Sequence, residues 1–234
     1  RWCNAQPDED FYFVWSADGL HLKATRLNQN SSIHIDFLSG IQSSRIKAVS
    51  GESLTRAVGC HKGLRPAVID ATAGLGRDMS VLANMGCSVN AFERHPIIAA
   101  LLADALRRAG NASVSWVDRV ALHQSDAVDH LSQISHGVIY LDPMFPEERK
   151  ASPGLAMQIF RSFNTIAEGQ ERLFEAAMDS ACGRLVVKRP LKALPLAGKE
   201  PVTHIKGKTV RFDLYPKHKL TEADCKPHEI LRCQ

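Results

Sequence analysis

Apolar and polar residues alternate over residues 11–38 in the manner that is typical of β-strands. The alternation predicts strands over residues 11–15, 20–24 and 33–37. Turn-forming residues separate these strands at Asp18-Gly19 and over residues 28–32. We therefore expect a small antiparallel β appendage at the N-terminus, followed by a polar connector with a short helix near residues 53–58.

After Pro66 the pattern changes to short apolar strands that alternate with helical stretches. The predicted elements are strand 67–70, helix 77–85, strand 88–92, helix 96–109, strand 121–124, helix 127–134, strand 137–141, a mostly helical stretch over 155–181, strand 184–188, and a closing antiparallel pair at 202–205 and 210–215. Such alternation indicates an α/β fold with helices on both faces of a parallel sheet. Ligands of such sheets bind beyond the carboxyl ends of the strands.

Length and composition fit a globular protein with one main domain. The chain has 234 residues, of which 44% are hydrophobic and 23% charged. We divide it into an appendage with its connector at 1–50, a main domain at 51–220 and a tail at 221–234. No apolar run approaches the roughly 20 residues that span a bilayer. Because the sequence starts with Arg1 rather than methionine, we expect further residues before it.

The cysteines and histidines show no metal-binding spacing. Six cysteines are present, but none forms a C-x-x-C pair. Cys87 and Cys182 lie among apolar residues, which is typical of a protein core. We therefore predict no metal site and a location in the reducing cytoplasm.

Positive charge is concentrated near the C-terminal end of the main domain. Residues 181–220 carry a net charge of +8, whereas the whole chain carries only +4. A basic stretch in an otherwise acidic chain favours a polyanionic partner. A solvated surface without a partner is the alternative.

The most informative segment runs from Val68 to Asp78. It reads as an apolar strand, an acid at Asp70, two glycines at Gly74 and Gly76, and a helix start. The glycines let the backbone turn sharply and approach a ligand closely. The helix start offers free N–H groups. This arrangement predicts a loop that binds a nucleotide-like cofactor.

Four acids follow the carboxyl ends of successive predicted strands, at Asp70, Glu93, Asp126 and Asp142. In a parallel sheet these ends share one edge, so we expect the carboxylates to converge on one crevice. Asp70 is placed to hold the glycine loop or to receive an ammonium group, and Glu93 to bind ribose hydroxyls. Asp126, with Ser125, is placed to bind adenine. A ribose, an adenine and a positive charge together describe S-adenosylmethionine.

The glycine spacing also separates this cofactor from a dinucleotide. A dinucleotide loop carries a third glycine, which would fall at position 79, where this chain has Met79. Asp78 at the helix start would repel a pyrophosphate. The segment therefore favours a methyltransferase over a dehydrogenase.

A second motif, Asp142-Pro143-Met144-Phe145-Pro146, follows the strand at 137–141. Two prolines in five residues fix a rigid turn. We predict that Asp142, Pro143 and Phe145 clamp a flat base with an exocyclic amine, with Phe145 stacked on the base. A carboxylate that accepts amine protons helps a weak nucleophile to react. A purely structural turn is the alternative.

Together these segments resemble the small-subunit ribosomal RNA methyltransferase J family. The resemblance runs from about Asp8 to Tyr215 and includes Asp70–Asp78, the Asp-Pro-Met-Phe-Pro run, residues 186–190 and residues 211–215. It implies a class I (Rossmann-like) methyltransferase with a mostly parallel seven-stranded sheet. It also implies methyl transfer from S-adenosylmethionine to N2 of a guanosine in 16S rRNA. The family's cofactor positions fall on Arg77, Asp78, Glu93, Arg94, Ser125, Asp126 and Asp142.

The basic residues supply the predicted RNA contacts, with 16S rRNA or the 30S subunit as partner. Lys188 and Arg189 follow a strand that ends at the same edge as Asp142, and a structural ion pair is the alternative for these two. Further predicted phosphate contacts are Lys206, Lys208 and Arg211. Two other functions remain open. One is an N-methyltransferase for DNA adenine, protein glutamine or a small molecule, and the other is a non-catalytic RNA-binding protein.

Overall fold

A computed structural model describes residues 11–24, 32–39, 49–143 and 168–230. The first three strands, β1 (Phe11–Ser16), β2 (Gly19–Ala24) and β3 (Ser32–His34), form an antiparallel sheet in that order. This confirms the predicted β appendage. Its third strand is shorter than predicted, because the Asp36 carboxylate accepts a hydrogen bond from the Leu38 N–H at 2.8 Å and so turns the chain.

The main sheet and its helices follow in chain order. They are α1 (Val49–Ala57), β4 (Val68–Asp70), α2 (Arg77–Asn84), β5 (Val89–Phe92), α3 (Pro96–Asn111), β6 (Val120–His123), α4 (Val128–Leu131), β7 (Val138–Leu141), α5 (Glu168–Asp179), β8 (Arg184–Pro190), β9 (Thr203–Lys206) and β10 (Val210–Pro216). Short 3₁₀ turns lie at Val117–Arg119, Leu196–Gly198 and Glu222–Cys225. Of the helical stretch predicted over 155–181, residues 155–167 lie outside the described residues.

The seven strands are ordered β6-β5-β4-β7-β8-β10-β9. The first five are parallel to one another, and β10 is antiparallel to both β8 and β9. The mostly parallel seven-stranded sheet is therefore confirmed. The strand order reverses at β4, which has β5 on one side and β7 on the other. Such a reversal opens a crevice at the carboxyl ends of the strands, where ligands bind.

One predicted helix, over residues 127–134, is wrong in extent. Only Val128–Leu131 is α-helical. Beyond it, the Gln133 and Ile134 N–H groups bond to carbonyls three residues back, which tightens the chain into turns. Gly137, at a φ of 70°, then redirects the chain into β7.

Each face of the sheet has its own core, because neighbouring residues of a strand point to opposite faces. On β4, Val68 packs on one face with α1, α2 and α3, and Ile69 packs on the other with α4 and α5. The appendage joins the first core through buried Leu22, Ile33 and Phe37. Both faces of the central strands are covered, which explains their continuous apolar runs.

The chain after β10 is tied to the amino ends of the central strands. The Ala67 N–H bonds to the Asp224 carbonyl at 2.8 Å, and the Gly137 N–H bonds to the Asp224 carboxylate at 2.9 Å. This edge lies opposite the carboxyl ends. The division at residues 50 and 220 stays a prediction. Within the residues described here, we find no helix long and apolar enough to cross a membrane.

Candidate active site

The glycine loop leaves the carboxyl end of β4 and turns into α2. Gly74 and Gly76 have φ values of 52° and 71°, the region that favours glycine. A Cβ on Gly76 would lie 2.7 Å from Leu102 Cδ1 and 3.0 Å from Phe37 Cζ. Gly76 is therefore required both by its conformation and by its packing, and the appendage residue Phe37 lies directly against the loop.

Two of the predicted cofactor acids hold this loop in place. Asp70 is buried, and its carboxylate accepts the Thr72 N–H at 3.1 Å. Glu93, at the end of β5, accepts the Gly74 N–H at 2.9 Å and the His95 N–H at 2.7 Å. Burial raises the pKa of Glu93, although these N–H groups oppose the shift. The loop is thus braced by carboxylates from two neighbouring strands.

The other predicted cofactor residues lie around this centre. Asp126, beyond β6, accepts the Val128 N–H at 3.0 Å and so begins α4. The hydroxyl of Ser125 is 3.0 Å from His130 Nε2. The side chains of Arg77 and Arg94 are exposed, and the Arg94 guanidinium lies beside Gly169 at the start of α5.

Asp142 follows β7 and is anchored to the turn after β4. Its N–H donates to Thr72 Oγ1 at 2.7 Å, and its side chain is 39% exposed. Pro143 is buried behind it. Phe145, the third predicted clamp residue, lies outside the described residues. The structure therefore presents a carboxylate at the sheet edge on a fixed main chain.

Lys188 of β8 completes a cluster of side chains at the carboxyl edge of the sheet. Its other members are Asp70, Thr72, Asp78, Tyr140 and Asp142. Lys188 Nζ lies 2.8 Å from Asp142 Oδ2 and 2.8 Å from Asp78 Oδ2. The Tyr140 hydroxyl donates to the same Asp78 oxygen at 2.5 Å. Asp78 was predicted as a cofactor residue, and the structure adds that it links α2 to β7 and β8.

The cluster is rich in carboxyl groups. Burial, together with the charges of Asp78 and Asp142, raises the pKa of Asp70 to about 8. Partial burial also raises the pKa of Asp142, which Lys188 opposes. Burial disfavours the charged form of Lys188, but the two carboxylates outweigh it and raise the pKa of Lys188 above its usual range. Such a site favours a ligand that brings positive charge.

The remaining predicted RNA contacts divide into two groups. Lys206 and Lys208 are exposed on β9 and its turn. Arg189 is buried and donates to the Leu194 carbonyl, while Arg211 pairs with Asp213 at 2.7 Å. Arg189 and Arg211 thus support the loop after β8 from within the protein, and all four contacts stay predictions.

Two residues of the cluster had no place in the sequence-based prediction. Thr72 holds Asp142, and Tyr140 binds Asp78. A signal existed for Tyr140, because a tyrosine inside the buried run Val138–Leu141 needs a partner for its hydroxyl. Thr72 carries no signal of its own, since its partner lies 70 residues further along the chain.

In the appendage, Asp18, His21 and His34 place three ligand-type atoms within 4.8 Å of one another. Hydrogen bonds account for this geometry: His21 Nε2 is 3.0 Å from Asp18 Oδ1, and His34 Nε2 is 3.1 Å from the Asp18 carbonyl. The sequence-based expectation of no metal site stays a prediction.

The cluster fits S-adenosylmethionine better than a dinucleotide. Helix α2 carries Asp78 in its first turn, and an acid at a helix start disfavours the binding of a phosphate there. Among the described residues, the carboxylates of Asp78 and Asp142 share one ammonium group, that of Lys188. The excess of negative charge suits a cationic cofactor. Fold and site together define a class I S-adenosylmethionine-dependent methyltransferase.

Comparisons with known proteins agree. The family model described as putative SAM-dependent methyltransferase matches residues 2–217. A ribosomal RNA small subunit methyltransferase J from Thioalkalivibrio sulfidiphilus is 42% identical over 211 residues, covering 86% of this chain and 83% of the relative. One from Dechloromonas aromatica is 39% identical over 221 residues, covering 91% of this chain and 90% of the relative.

A solved structure is similar as well. The crystal structure of a SAM-dependent methyltransferase from Neisseria gonorrhoeae is 32% identical, with a TM-score of 0.73, covering 94% of this chain and 88% of that one. The chain belongs to the ribosomal RNA small subunit methyltransferase J family, which confirms the resemblance drawn from its motifs. Its cofactor is S-adenosylmethionine.

Proposed function

We propose that this enzyme methylates the exocyclic N2 amine of a guanosine in 16S rRNA. The observation that carries the proposal is the position of Asp142, at the end of β7, held by Thr72 and Lys188 beside the glycine loop. The relatives' name, ribosomal RNA small subunit methyltransferase J, supplies the class of RNA.

The cofactor-binding residues take up the roles that their positions suggest. Asp70, Gly74 and Gly76 form the loop against which the cofactor lies. Glu93 accepts hydrogen bonds from the hydroxyls of the ribose, and Asp126 with Ser125 binds the adenine. Arg77 begins the helix after the loop and Arg94 follows Glu93, and each orients its neighbouring acid or meets the carboxylate of the cofactor. In support, β6, β5, β4 and β7 are neighbours in the sheet, which lines up the acids that follow them along one edge.

The chain's part in the chemistry is to activate a weak nucleophile. The lone pair of a guanine N2 amine is delocalised into the ring, which makes the amine a weak nucleophile. The nitrogen becomes more nucleophilic as a base withdraws one of its protons. Bound S-adenosylmethionine would supply the methyl group, and its sulfur would take the electron pair of the broken carbon–sulfur bond as the amine nitrogen bonds to the methyl carbon. The Asp142 carboxylate accepts the proton that the amine releases. Pro143 fixes the turn, and Phe145 is proposed to stack on the base.

The RNA approaches the same edge of the sheet. The exposed Lys206 and Lys208 contact its phosphates. Arg189 and Arg211 hold the loop after β8 through its carbonyl groups and so support the surface beside these lysines. The nucleotide is extruded from its stack to reach Asp142. We place the reaction in the cytoplasm, on 16S rRNA or the 30S subunit. The described cysteines Cys60, Cys87, Cys182 and Cys225 carry free thiols, which supports a reducing compartment.

The deciding experiment measures methyl transfer from labelled S-adenosylmethionine. The substrates are 30S particles and bare 16S rRNA from cells that lack the modification, and the product nucleoside is identified after digestion. We expect label in N2-methylguanosine. Particles that already carry the modification serve as the matched control and should accept none.

A DNA duplex with adenines and a glutamine-containing protein fragment test the other N-methyltransferase functions. Label in either substrate, with none in RNA, would overturn the proposal. Cofactor binding with no transfer to any substrate would instead favour a non-catalytic RNA-binding protein. The family's name and the basic stretch at residues 181–220 both favour RNA.

A further inference from the structure

Lys188 lies where the two halves of the site meet. It is a residue of β8, the strand next to β7, which ends just before Asp142. Its two carboxylate partners come from different sides: Asp78 from the helix after the glycine loop, and Asp142 from the proposed acceptor side. Both nitrogen–oxygen distances are 2.8 Å. Lys188 is therefore the connection between the cofactor loop and the acceptor turn.

The charges around Lys188 show why the position needs a cation. Asp142 shares its surroundings with Asp78, Asp70 and Tyr140, and none of these groups brings positive charge. The carboxylates of Asp78 and Asp142 both lie 2.8 Å from Lys188 Nζ, and they would repel each other without a cation between them. Among the described residues that face Asp142, Lys188 is that cation.

The two ion pairs leave Lys188 few N–H donors and little exposed surface for a contact with RNA. An ammonium group has three N–H donors, and two of them are used by Asp78 and Asp142. Its side chain is 23% exposed, whereas Lys206 and Lys208 are exposed. A phosphate could reach only the one remaining N–H donor unless the ammonium left one of the carboxylates.

We infer that Lys188 is a positioning residue for methyl transfer, which holds the Asp142 carboxylate in place by bridging it to Asp78. The inference rests on the proposed function of Asp142 as the group that accepts the amine proton. It replaces the direct RNA contact predicted for Lys188 with a role inside the active site.

The test compares Lys188→Met with Lys188→Arg and with Lys226→Met. Methionine keeps the length of the side chain without its charge, arginine restores a cation, and Lys226 is exposed at the opposite edge of the sheet. Methyl transfer to unmodified 30S particles is followed from pH 5 to 9, with kcat and the KM for the particles determined separately.

For Lys188→Met we expect kcat at pH 7 to fall by about 100-fold or more, the scale of an impaired proton acceptor. The KM for the particles should change little. Without the cation, burial and the repulsion from Asp78 raise the pKa of Asp142 further. The rise of kcat with pH therefore moves up by about one unit or more. Lys188→Arg should recover part of kcat and most of this shift, and Lys226→Met should match wild type.

Two results would overturn the inference. A raised KM with unchanged kcat and pH profile would show that Lys188 contacts RNA. A reduced kcat with an unshifted pH profile, and no recovery in Lys188→Arg, would show a structural role only.

A second measurement separates this inference from the proposed function. If wild type methylates no ribosomal RNA, the proposed function fails, and the bridge is tested by thermal unfolding of Lys188→Met, Asp142→Asn and the double variant. We expect the shifts in Tm to be non-additive, because the two residues share one interaction. Additive shifts would remove the bridge, whatever the substrate proves to be.

Discussion

Asp70 is 1% exposed, and its carboxyl group has less access to water than those of Glu93, Asp78 or Asp142. Burial and the neighbouring acids raise its pKa from 3.8 to about 8. The folded protein therefore holds a proton on Asp70 across a pH range in which the unfolded chain has released it. Between these two pKa values the free energy of unfolding falls as pH rises.

We predict that Asp70→Asn removes this component of the pH dependence. In wild type, the component has a slope of up to about 1.4 kcal/mol per pH unit between pH 4 and 8, and it levels off above pH 8. Denaturant unfolding at pH 5, 6.5 and 8 measures it. The exposed Asp118→Asn is the matched control and should follow wild type. An unchanged pH dependence in Asp70→Asn would contradict the raised pKa.

Asp142→Asn tests the proton acceptor at the same scale. The amide keeps the shape of the side chain and the Thr72 contact to the main chain, but it accepts no proton. We expect methyl transfer to fall by about 10²- to 10⁴-fold, while binding of S-adenosylhomocysteine, measured by calorimetry, stays within a few-fold of wild type. Full activity in this variant would remove the proposed role of Asp142.

Among the elements, the glycine loop depends most on backbone conformation. Gly76 and Gly63 both have positive φ, at 71° and 86°. Around Gly76, however, a Cβ would meet Leu102 and Phe37, whereas around Gly63 nothing lies within 4 Å. The two positions therefore separate conformational strain from crowding.

We predict that Gly63→Ala lowers the free energy of unfolding by about 1 kcal/mol, the cost of a left-handed alanine. Gly76→Ala should lower it by about 2–4 kcal/mol, because crowding of the core adds to the strain. It should also weaken S-adenosylhomocysteine binding, which Gly63→Ala should leave intact. Denaturant unfolding and calorimetry measure both. Equal effects of the two substitutions would mean that the contacts around Gly76 matter little.

At the scale of the whole molecule, the net charge of +4 conceals a basic segment in an otherwise acidic chain. Part of this segment makes contacts inside the protein. Arg189 and Arg211 donate hydrogen bonds to carbonyl groups in the loop after β8. The exposed lysines of β9 and its turn remain for a partner. Electrostatic binding to RNA should therefore depend on these lysines and on salt.

We predict that Lys206→Ala with Lys208→Ala weakens binding of 16S rRNA. The slope of log affinity against log salt should also become shallower, by about 1 for each lost phosphate contact. Affinity for S-adenosylhomocysteine should not change. Filter binding at several salt concentrations measures the slope, and Lys226→Ala is the control from outside the basic segment. An unchanged slope would exclude both lysines from the RNA interface.

The sequence by itself determined the elements of this protein and the residue types of its site. The spacing of apolar residues distinguished the strands of the appendage from the alternating strands and helices after Pro66, because this spacing is a local property of the chain. The turn at Gly74 and Gly76, the acids after each strand and the Asp142-Pro143 turn were recognisable for the same reason. Their chemistry lies in neighbouring residues.

Only the tertiary structure decided which side chains these residues meet. Lys188 read as a surface contact, but it pairs with Asp78, 110 residues earlier, and with Asp142, 46 residues earlier. Tyr140 likewise finds its partner 62 residues away. These pairings follow from the placement of β7 between β4 and β8 and from α2 packing against the sheet. Strand order is set by long-range packing, so no local pattern in the sequence encodes which charged groups will lie in contact.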